Sequence, residues 1–265
     1  MNDQSGEKKV CLVIGAGAGI GGAITKKFAS AGYHVCFARR SDRTGLTNME
    51  KNLRTSGYSV SGHILDVTKE DVIEELIGGI EQKVGSIHTA VYNVGAQIGN
   101  RSLEDTKLKT FELGWRLGTF GLYRLAKELL PVMAARGAGN LLVTGATASV
   151  RGNSGQHSHA ATMASRRMLC QSLNAEFAER GVHICHIIID GLVDAPDTLG
   201  KMLGPKQFEL LRQSKGYEKN GLLLPNHIAE TYYQLAHQHP STWTFETDLR
   251  PHSAVPWWNH VTRDF

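Results

Sequence analysis

The sequence predicts an α/β chain: a doubly wound parallel sheet covered by helices on both faces, in three α/β/α layers. Three observations predict it. Short β-branched or apolar runs alternate with longer segments of helical period along nearly the whole chain, as expected of strands buried on both faces. A glycine-rich loop stands directly between the first such run and the first helical segment. Finally, 265 residues of which 41% are apolar are enough for one large core, and no repeat, low-complexity tract or Pro/Ser-rich linker divides them. One domain spanning 1–265 is the expectation.

Taken in order, the first strand is expected at 10–14, where VCLVI is uniformly apolar, and the helix after the glycine loop at 21–31, with Ile24 and Phe28 on one face. A strand at 34–38 and a helix at 46–56 follow, then a strand at 59–65 and a helix at 69–84. The strand at 88–92 precedes a long helical pattern at 107–136, and the strand at 140–144 precedes another at 160–180. The strand 183–189, a helix at 225–238 and a last strand at 243–249 complete the set. The stretch 191–224 reads as irregular, rich in Gly, Lys and Asp. Lying beside the ligand crevice of such a sheet, it is expected to be a substrate flap.

Charge and cysteine usage narrow the function. The net charge of +4 comes from scattered Lys and Arg, with doublets only at Lys8-Lys9, Lys26-Lys27, Arg39-Arg40 and Arg166-Arg167, so no nucleic-acid-binding arm is expected. Cys11, Cys36, Cys170 and Cys185 have no CxxC spacing and read as reduced interior thiols. Among the twelve histidines, His157-x-His159 and His237-x-His239 have a spacing that suits a metal but lack nearby Cys, Asp or Glu, so no metal is expected. The N-terminus is polar with no apolar segment after it, and no apolar run approaches the roughly 18 residues of a membrane span. A cytoplasmic protein without membrane partners is expected.

The loop Gly15-Ala16-Gly17-Ala18-Gly19-Ile20-Gly21-Gly22 has the strand–loop–helix setting of a dinucleotide site. Glycine admits positive φ and close backbone approach, and the start of the helix offers free N–H groups and a positive dipole end to a pyrophosphate. Gly15, Gly17, Gly19, Ile20 and Gly21 are the candidate contacts. A nucleotide binder of this type usually places an acidic residue at the end of the second strand for a ribose 2′-hydroxyl, or an Arg for a 2′-phosphate. Arg39 and Arg40 stand there, so NADP(H) is favoured over NAD(H).

The spacing Gly15-x-x-x-Gly19-x-Gly21 resembles the short-chain dehydrogenase/reductase family, although Gly17, Gly19 and Gly22 also satisfy the longer Rossmann fingerprint. The resemblance runs from about 10 to 250. Leu65-Asp66-Val67 is similar to the family's Asp-Val pair, which implies Asp66 and Val67 near the adenine. Tyr92-Asn93-Val94-Gly95 stands where the family has Asn-Asn-Ala-Gly, so Asn93 and Gly95 match and Tyr92 departs. Asp190-Gly191-Leu192-Val193 replaces Pro-Gly-x-Val/Ile, which implies Val193 beside the nicotinamide.

The resemblance also implies a catalytic Ser, Tyr and Lys, with an Asn on a preceding helix, and here the chain departs. Alignment puts Ala146 at the Ser position, His159 at the Tyr, Met163 at the Lys and Trp115 at the Asn. Independently of register, no Tyr lies between Tyr123 and Tyr217 and no Lys between Lys127 and Lys201. Three readings stay open. One is an NADP(H) oxidoreductase acting on a carbonyl/alcohol pair, with His159 as proton donor, since imidazole titrates near neutrality, and Thr147 or Ser149 binding the substrate oxygen. The second is a catalytically inactive NADP(H)-binding sensor or scaffold, and the third a structural partner with a vestigial pocket. Arg166, two turns beyond His159, is expected on the right face but too distant to replace the ammonium. The resemblance further implies a homodimer or homotetramer through the long helices at 107–136 and 160–180. Trp257-Trp258 forms an apolar patch on the tail that either packs or reaches a neighbour.

Overall fold

The computed structural model describes residues 9–95 and 100–259. The polar N-terminal residues 1–8, on which the expectation of no apolar leader rests, lie outside the described residues.

In chain order the elements are β1 (Val10–Ile14), α1 (Ile20–Ser30), β2 (His34–Arg39), α2 (Arg43–Thr55), β3 (Val60–Ile64), α3 (Val72–Lys83), β4 (Ile87–Tyr92) and α4 (Leu108–Trp115). A π-helical turn (Arg116–Phe120) leads into α5 (Gly121–Arg136), β5 (Gly139–Ala146), α6 (His157–Phe177) and β6 (Val182–Ile189). A second π-helical turn (Pro196–Gly200) precedes α7 (Lys201–Leu203), α8 (Pro205–Lys215), α9 (Pro225–Leu235) and β7 (Glu246–Leu249). The seven strands form one sheet in the order β3-β2-β1-β4-β5-β6-β7, and every pairing is parallel. The order reverses at β1, whose Ile14 pairs with Ala38 of β2 on one side and Tyr92 of β4 on the other. Crossovers leave in opposite directions from such a point, and a crevice opens at the strands' carboxyl ends.

The apolar run in β1 is continuous because its alternate side chains serve two different cores. Val10, Leu12 and Ile14 pack on the face carrying Ile73 and Ile77 of α3 and Leu125 and Leu129 of α5. Cys11 and Val13 pack on the opposite face with Ile24 and Phe28 of α1 and Ile228 and Tyr232 of α9. The four cysteines are buried and unbridged, as interior thiols should be.

Three expectations are corrected. The helical pattern 107–136 is two helices joined by the π-helical turn, whose apolar periodicity drifts too little to be seen in sequence. The stretch 191–224 is not irregular: it contains the second π-helical turn, α7 and α8. Its helices were hidden because α8 buries only Phe208 and so lacks an apolar stripe, while Gly200 and Gly204 punctuate the segment. The α6 helix begins at His157 rather than Ala160, so both His157 and His159 are in its first turn. Among the described residues no helix is long and apolar enough to cross a membrane.

Candidate active site

A cleft of about 620 Å³ lies at the carboxyl ends of the strands. Its floor is the glycine loop. Gly15 sits at φ +94°, and a Cβ there would come within 2.5 Å of the Asn93 carbonyl oxygen, so the turn out of β1 requires glycine. Gly17 has no atom within 4 Å of the position its Cβ would take, so its bare backbone opens toward the cleft that it lines. No side chain among the described residues caps the first turn of α1, and Gly19, Ile20 and Gly21 line the cleft. The loop is held from beneath. Asn93 Nδ2 donates to the Gly15 carbonyl at 2.9 Å, and the Thr144 hydroxyl donates to Asn93 Oδ1 at 2.8 Å. The Tyr232 hydroxyl lies 2.7 Å from that of Thr144. A chain of polar contacts therefore runs from α9 through β5 and β4 into the loop.

At one end of the cleft Arg39 and Arg40 line the wall where β2 ends. The Arg39 guanidinium is largely buried and its Nη2 lies 3.0 Å from Asp42 Oδ2 and 3.2 Å from Asp197 Oδ2. Asp42 caps α2 by accepting from the Gly45 N–H at 2.8 Å. Burial works to raise the Asp197 carboxyl, but Lys201, the charge of Arg39 and the Ala18 N–H outweigh it and hold the group below its ordinary value. The donors at this end suit an anionic nucleotide: uncapped backbone N–H groups, a glycine position with room beside it, and two guanidiniums.

At the other end the wall is α6. His159 and Met163 line the cleft together with Ala146 and Arg166. Met163 packs with Ala148, Ala146 and Ala160, so two positions where the resemblance implies polar catalytic groups, 146 and 163, belong to one small apolar cluster. Arg166 is 1% exposed. Its Nε donates to the Gly118 carbonyl at 2.7 Å, one Nη to Thr144 at 2.6 Å and the other to Val94 at 2.9 Å. Burial pulls its pKa down, the nearby Tyr92 working the other way, yet a guanidinium so placed stays charged. Tyr92 lies beneath it with the ring centroid 5.3 Å from the guanidinium carbon, and the Tyr92 hydroxyl donates to the Leu117 carbonyl at 2.5 Å. Both acceptors, Leu117 and Gly118, belong to the π-helical turn, where the widened ladder leaves carbonyls to outside donors. A Cβ on Gly121 would come within 2.3 Å of the Tyr92 hydroxyl, so that glycine makes room for the departure at Tyr92.

Of the residues singled out in the sequence, Gly15, Gly17, Gly19, Ile20, Gly21, Arg39, Arg40, Val67, Asn93, Gly95, Val193, Ala146, His159 and Met163 meet in this cleft. Asp66, Thr147 and Trp115 do not line it. The Asp66 carboxylate accepts from the N–H and hydroxyl of Thr68. The Thr147 hydroxyl donates to Asp190 Oδ1 at 2.7 Å, and Ser149 donates to the Ala146 carbonyl. Trp115 is 41% exposed and stacks on Phe120 instead. The residue of the π-helical turn that lines the cleft is Leu117, and the Gly118 carbonyl meets Arg166. His157 bonds to Thr106. Arg166 stands on the expected face of α6 and lines the cleft. Its guanidinium is held there by the carbonyls of Gly118, Thr144 and Val94.

A crevice at the reversal point of a doubly wound sheet, floored by a glycine loop, defines a nucleotide-binding Rossmann protein. The family model described as short chain dehydrogenase matches residues 9–199, and the chain belongs to that family of nicotinamide-nucleotide-binding oxidoreductases. An uncharacterized oxidoreductase of Schizosaccharomyces pombe is 32% identical over 174 residues, covering 64% of this chain and 66% of that protein. A 3-oxoacyl-(acyl-carrier-protein) reductase of Thermotoga maritima is 27% identical over 192 residues, covering 72% of this chain and 77% of the relative. The structure of an alcohol dehydrogenase from Thermococcus sibiricus, complexed with 5-hydroxy-NADP, superposes with a TM-score of 0.78 at 25% identity, covering 94% of this chain and 99% of the other.

Proposed function

We propose that the chain binds NADP(H) in this cleft and acts as an oxidoreductase on a carbonyl/alcohol pair. The observation that carries the reading is the joining of the glycine loop, the Arg39-Arg40 turn and His159 in one cleft. The 5-hydroxy-NADP complex of the Thermococcus enzyme supports the choice of nucleotide. The glycine loop and the start of α1 take the pyrophosphate, Arg39 and Arg40 the 2′-phosphate, and Val67 and Val193 flank the adenine and nicotinamide ends, with Asp66 behind the adenine and Asn93 and Gly95 beneath the ribose. When bound, the nicotinamide supplies or accepts the hydride. His159 donates the proton to the carbonyl oxygen in reduction and takes it back in oxidation. Arg166 keeps a fixed positive charge on the wall where Met163 supplies none. The stretch 191–224 covers the substrate as a flap. Assembly into a homodimer or homotetramer would cover the aromatic ladder Trp115, Phe120 and Tyr123, which is partly exposed along α4 and α5.

The second reading, a catalytically inactive NADP(H)-binding sensor or scaffold, is favoured by the apolar cluster of Met163 with Ala146, Ala148 and Ala160. Titration by intrinsic tryptophan fluorescence separates the cofactors, and carbonyl and alcohol panels separate the readings. NADPH is expected to bind more tightly than NADH, and Arg39→Ala to weaken NADPH about 10–100-fold while leaving NADH within about threefold. Turnover is expected to fall about 100-fold or more in His159→Ala. Equal loss of both nucleotides in Arg39→Ala would sink the cofactor assignment, whereas tight binding with no turnover by the wild type would favour the sensor or scaffold.

A further inference from the structure

Asp197 stands out because nothing in the proposed reaction uses it. It comes from the π-helical turn Pro196–Gly200, 158 residues from Arg39 in sequence, yet its Oδ2 lies 3.2 Å from the Arg39 Nη2 across the cleft. The same nitrogen is shared with Asp42 at 3.0 Å. Asp197 Oδ1 is 3.3 Å from the Lys201 ammonium, one helical turn on. The carboxylate also faces the Ala18 N–H of the glycine loop. Nearby, a Cβ on Gly19 would come within 3.0 Å of the Ala195 methyl, so Ala195 lies close over the loop. One carboxylate thus pairs with the guanidinium that the proposed function gives to the 2′-phosphate, beside the glycine loop given to the pyrophosphate.

We infer that Asp197 sets the cofactor preference of this cleft, its carboxylate competing with a ribose 2′-phosphate for the Arg39 guanidinium. A 2′-phosphate carries about −1.5 to −2 charges at neutral pH and needs the same N–H fork. With Asp42 and Asp197 both on Arg39 Nη2, that phosphate meets two like charges. It binds fully only when Asp197 gives up Arg39 and the segment around it shifts. A 2′-hydroxyl makes no such demand, so the carboxylate weakens NADP(H) selectively and narrows the advantage that Arg39 confers. Asp42 belongs to the same turn as Arg39 and caps α2, so it stays; Asp197 belongs to the segment over the loop, so it is the one that moves. Lys201 remains beside the Asp197 carboxylate and holds it after the exchange.

This inference rests on the NADP(H) reading and is tested apart from it by binding alone. The probes are NADPH, NADH and 2′-phospho-AMP, titrated against wild type, Arg39→Ala and Asp197→Asn. The neutral amide at 197 is expected to tighten NADPH and 2′-phospho-AMP about tenfold while NADH changes less than about twofold, and the gain should shrink at high salt as the removed repulsion is screened. Equal tightening of NADPH and NADH would overturn the inference and make Asp197 a gate indifferent to the 2′-phosphate. So would an unchanged NADPH/NADH ratio, or weaker NADPH binding, which would make Asp197 a support for Arg39. If instead the wild type shows no NADPH preference and Arg39→Ala alters none, the cofactor reading itself fails.

Discussion

The two ends of the cleft are built on different physical terms. At the glycine-loop end, the groups facing the cleft are backbone and two guanidiniums, that of Arg39 largely buried, and their form is dictated locally: positive φ at Gly15, open space beside Gly17, a basic turn after β2. At the α6 end, the residues facing the cleft are set by neighbours distant in sequence. Arg166 is satisfied by carbonyls of Val94, Gly118 and Thr144, and Tyr92, the π-helical turn and Gly121 all fit around it. Ala146, Met163, Arg166 and the underlying Tyr92 therefore form one wall at this end. A fixed cation with three carbonyl partners and an apolar Met163 cluster stand side by side there. The difference teaches that a local motif foretells the wall where backbone conformation shapes it, and does not where side chains from several elements meet.

The largest effect that can break this comparison is at Arg166. In Arg166→Met three carbonyls lose their donor, each worth about 1–3 kcal/mol if it stays unsatisfied, although removing a buried charge and admitting cleft water return part of this. A net loss of about 2–4 kcal/mol in chemical denaturation is expected. A neutral result would show that the wall is not held by Arg166.

The next effect contrasts two glycines of the loop. Gly15→Ala places a methyl against the Asn93 carbonyl at positive φ and is expected to cost about 2–3 kcal/mol in stability. Gly17→Ala meets nothing in the folded protein and is expected to leave stability within about 0.5 kcal/mol, or raise it slightly, while weakening nucleotide binding. Denaturation and NADPH titration on both variants check this; unchanged binding in Gly17→Ala would remove the loop from the ligand site.

The smallest effect concerns protons beneath the α6 end. His186 in β6 is buried, and burial lowers its pKa against the opposing pull of Glu246, with Arg166 and Arg167 adding to the lowering. The Glu246 carboxylate, 2.9 Å from its Nδ1 and paired with Arg167, does not reverse the sign. His183, stacked on Trp243, is lowered by burial in the same way. An imidazole whose folded pKa is depressed leaves the unfolded chain binding more protons below pH about 6.5, so stability is full above that value and falls as pH drops through it. The slope is at most about 1.4 kcal/mol per pH unit for each histidine. Denaturant unfolding at pH 7.5 and 5.5 is expected to show the fall, flattened in His186→Gln; equal stability at both would mean that the two imidazoles titrate alike folded and unfolded.

The strands were legible because a sheet buried on both faces writes itself as continuous apolar runs, and the runs at 10–14 and 183–189 are found almost unchanged in β1 and β6. The glycine loop and the basic turn were legible because a positive φ and a pair of charges at a strand end are local features of the chain, and both line the cleft. Alignment placed His159, Met163 and Ala146 on the cleft, since one helix and one strand end carry them. It did not place Trp115, which stacks on Phe120 and is partly exposed, and it set Arg166 aside, because reach depends on how a long side chain bends. The helices of 191–224 were invisible for want of an apolar stripe.

By itself, then, the order of residues determined the layered α/β architecture, the place of the nucleotide loop, the arginines at the end of β2 and the absence of any tyrosine or lysine along α6. Only the tertiary structure decided that Arg166 reaches the cleft wall, that Tyr92 and Gly121 accommodate each other, and that Asp197 meets Arg39 across the glycine loop. Periodicity and backbone conformation are local properties of a chain, whereas the partner of a buried charge is chosen by which distant elements the sheet brings together.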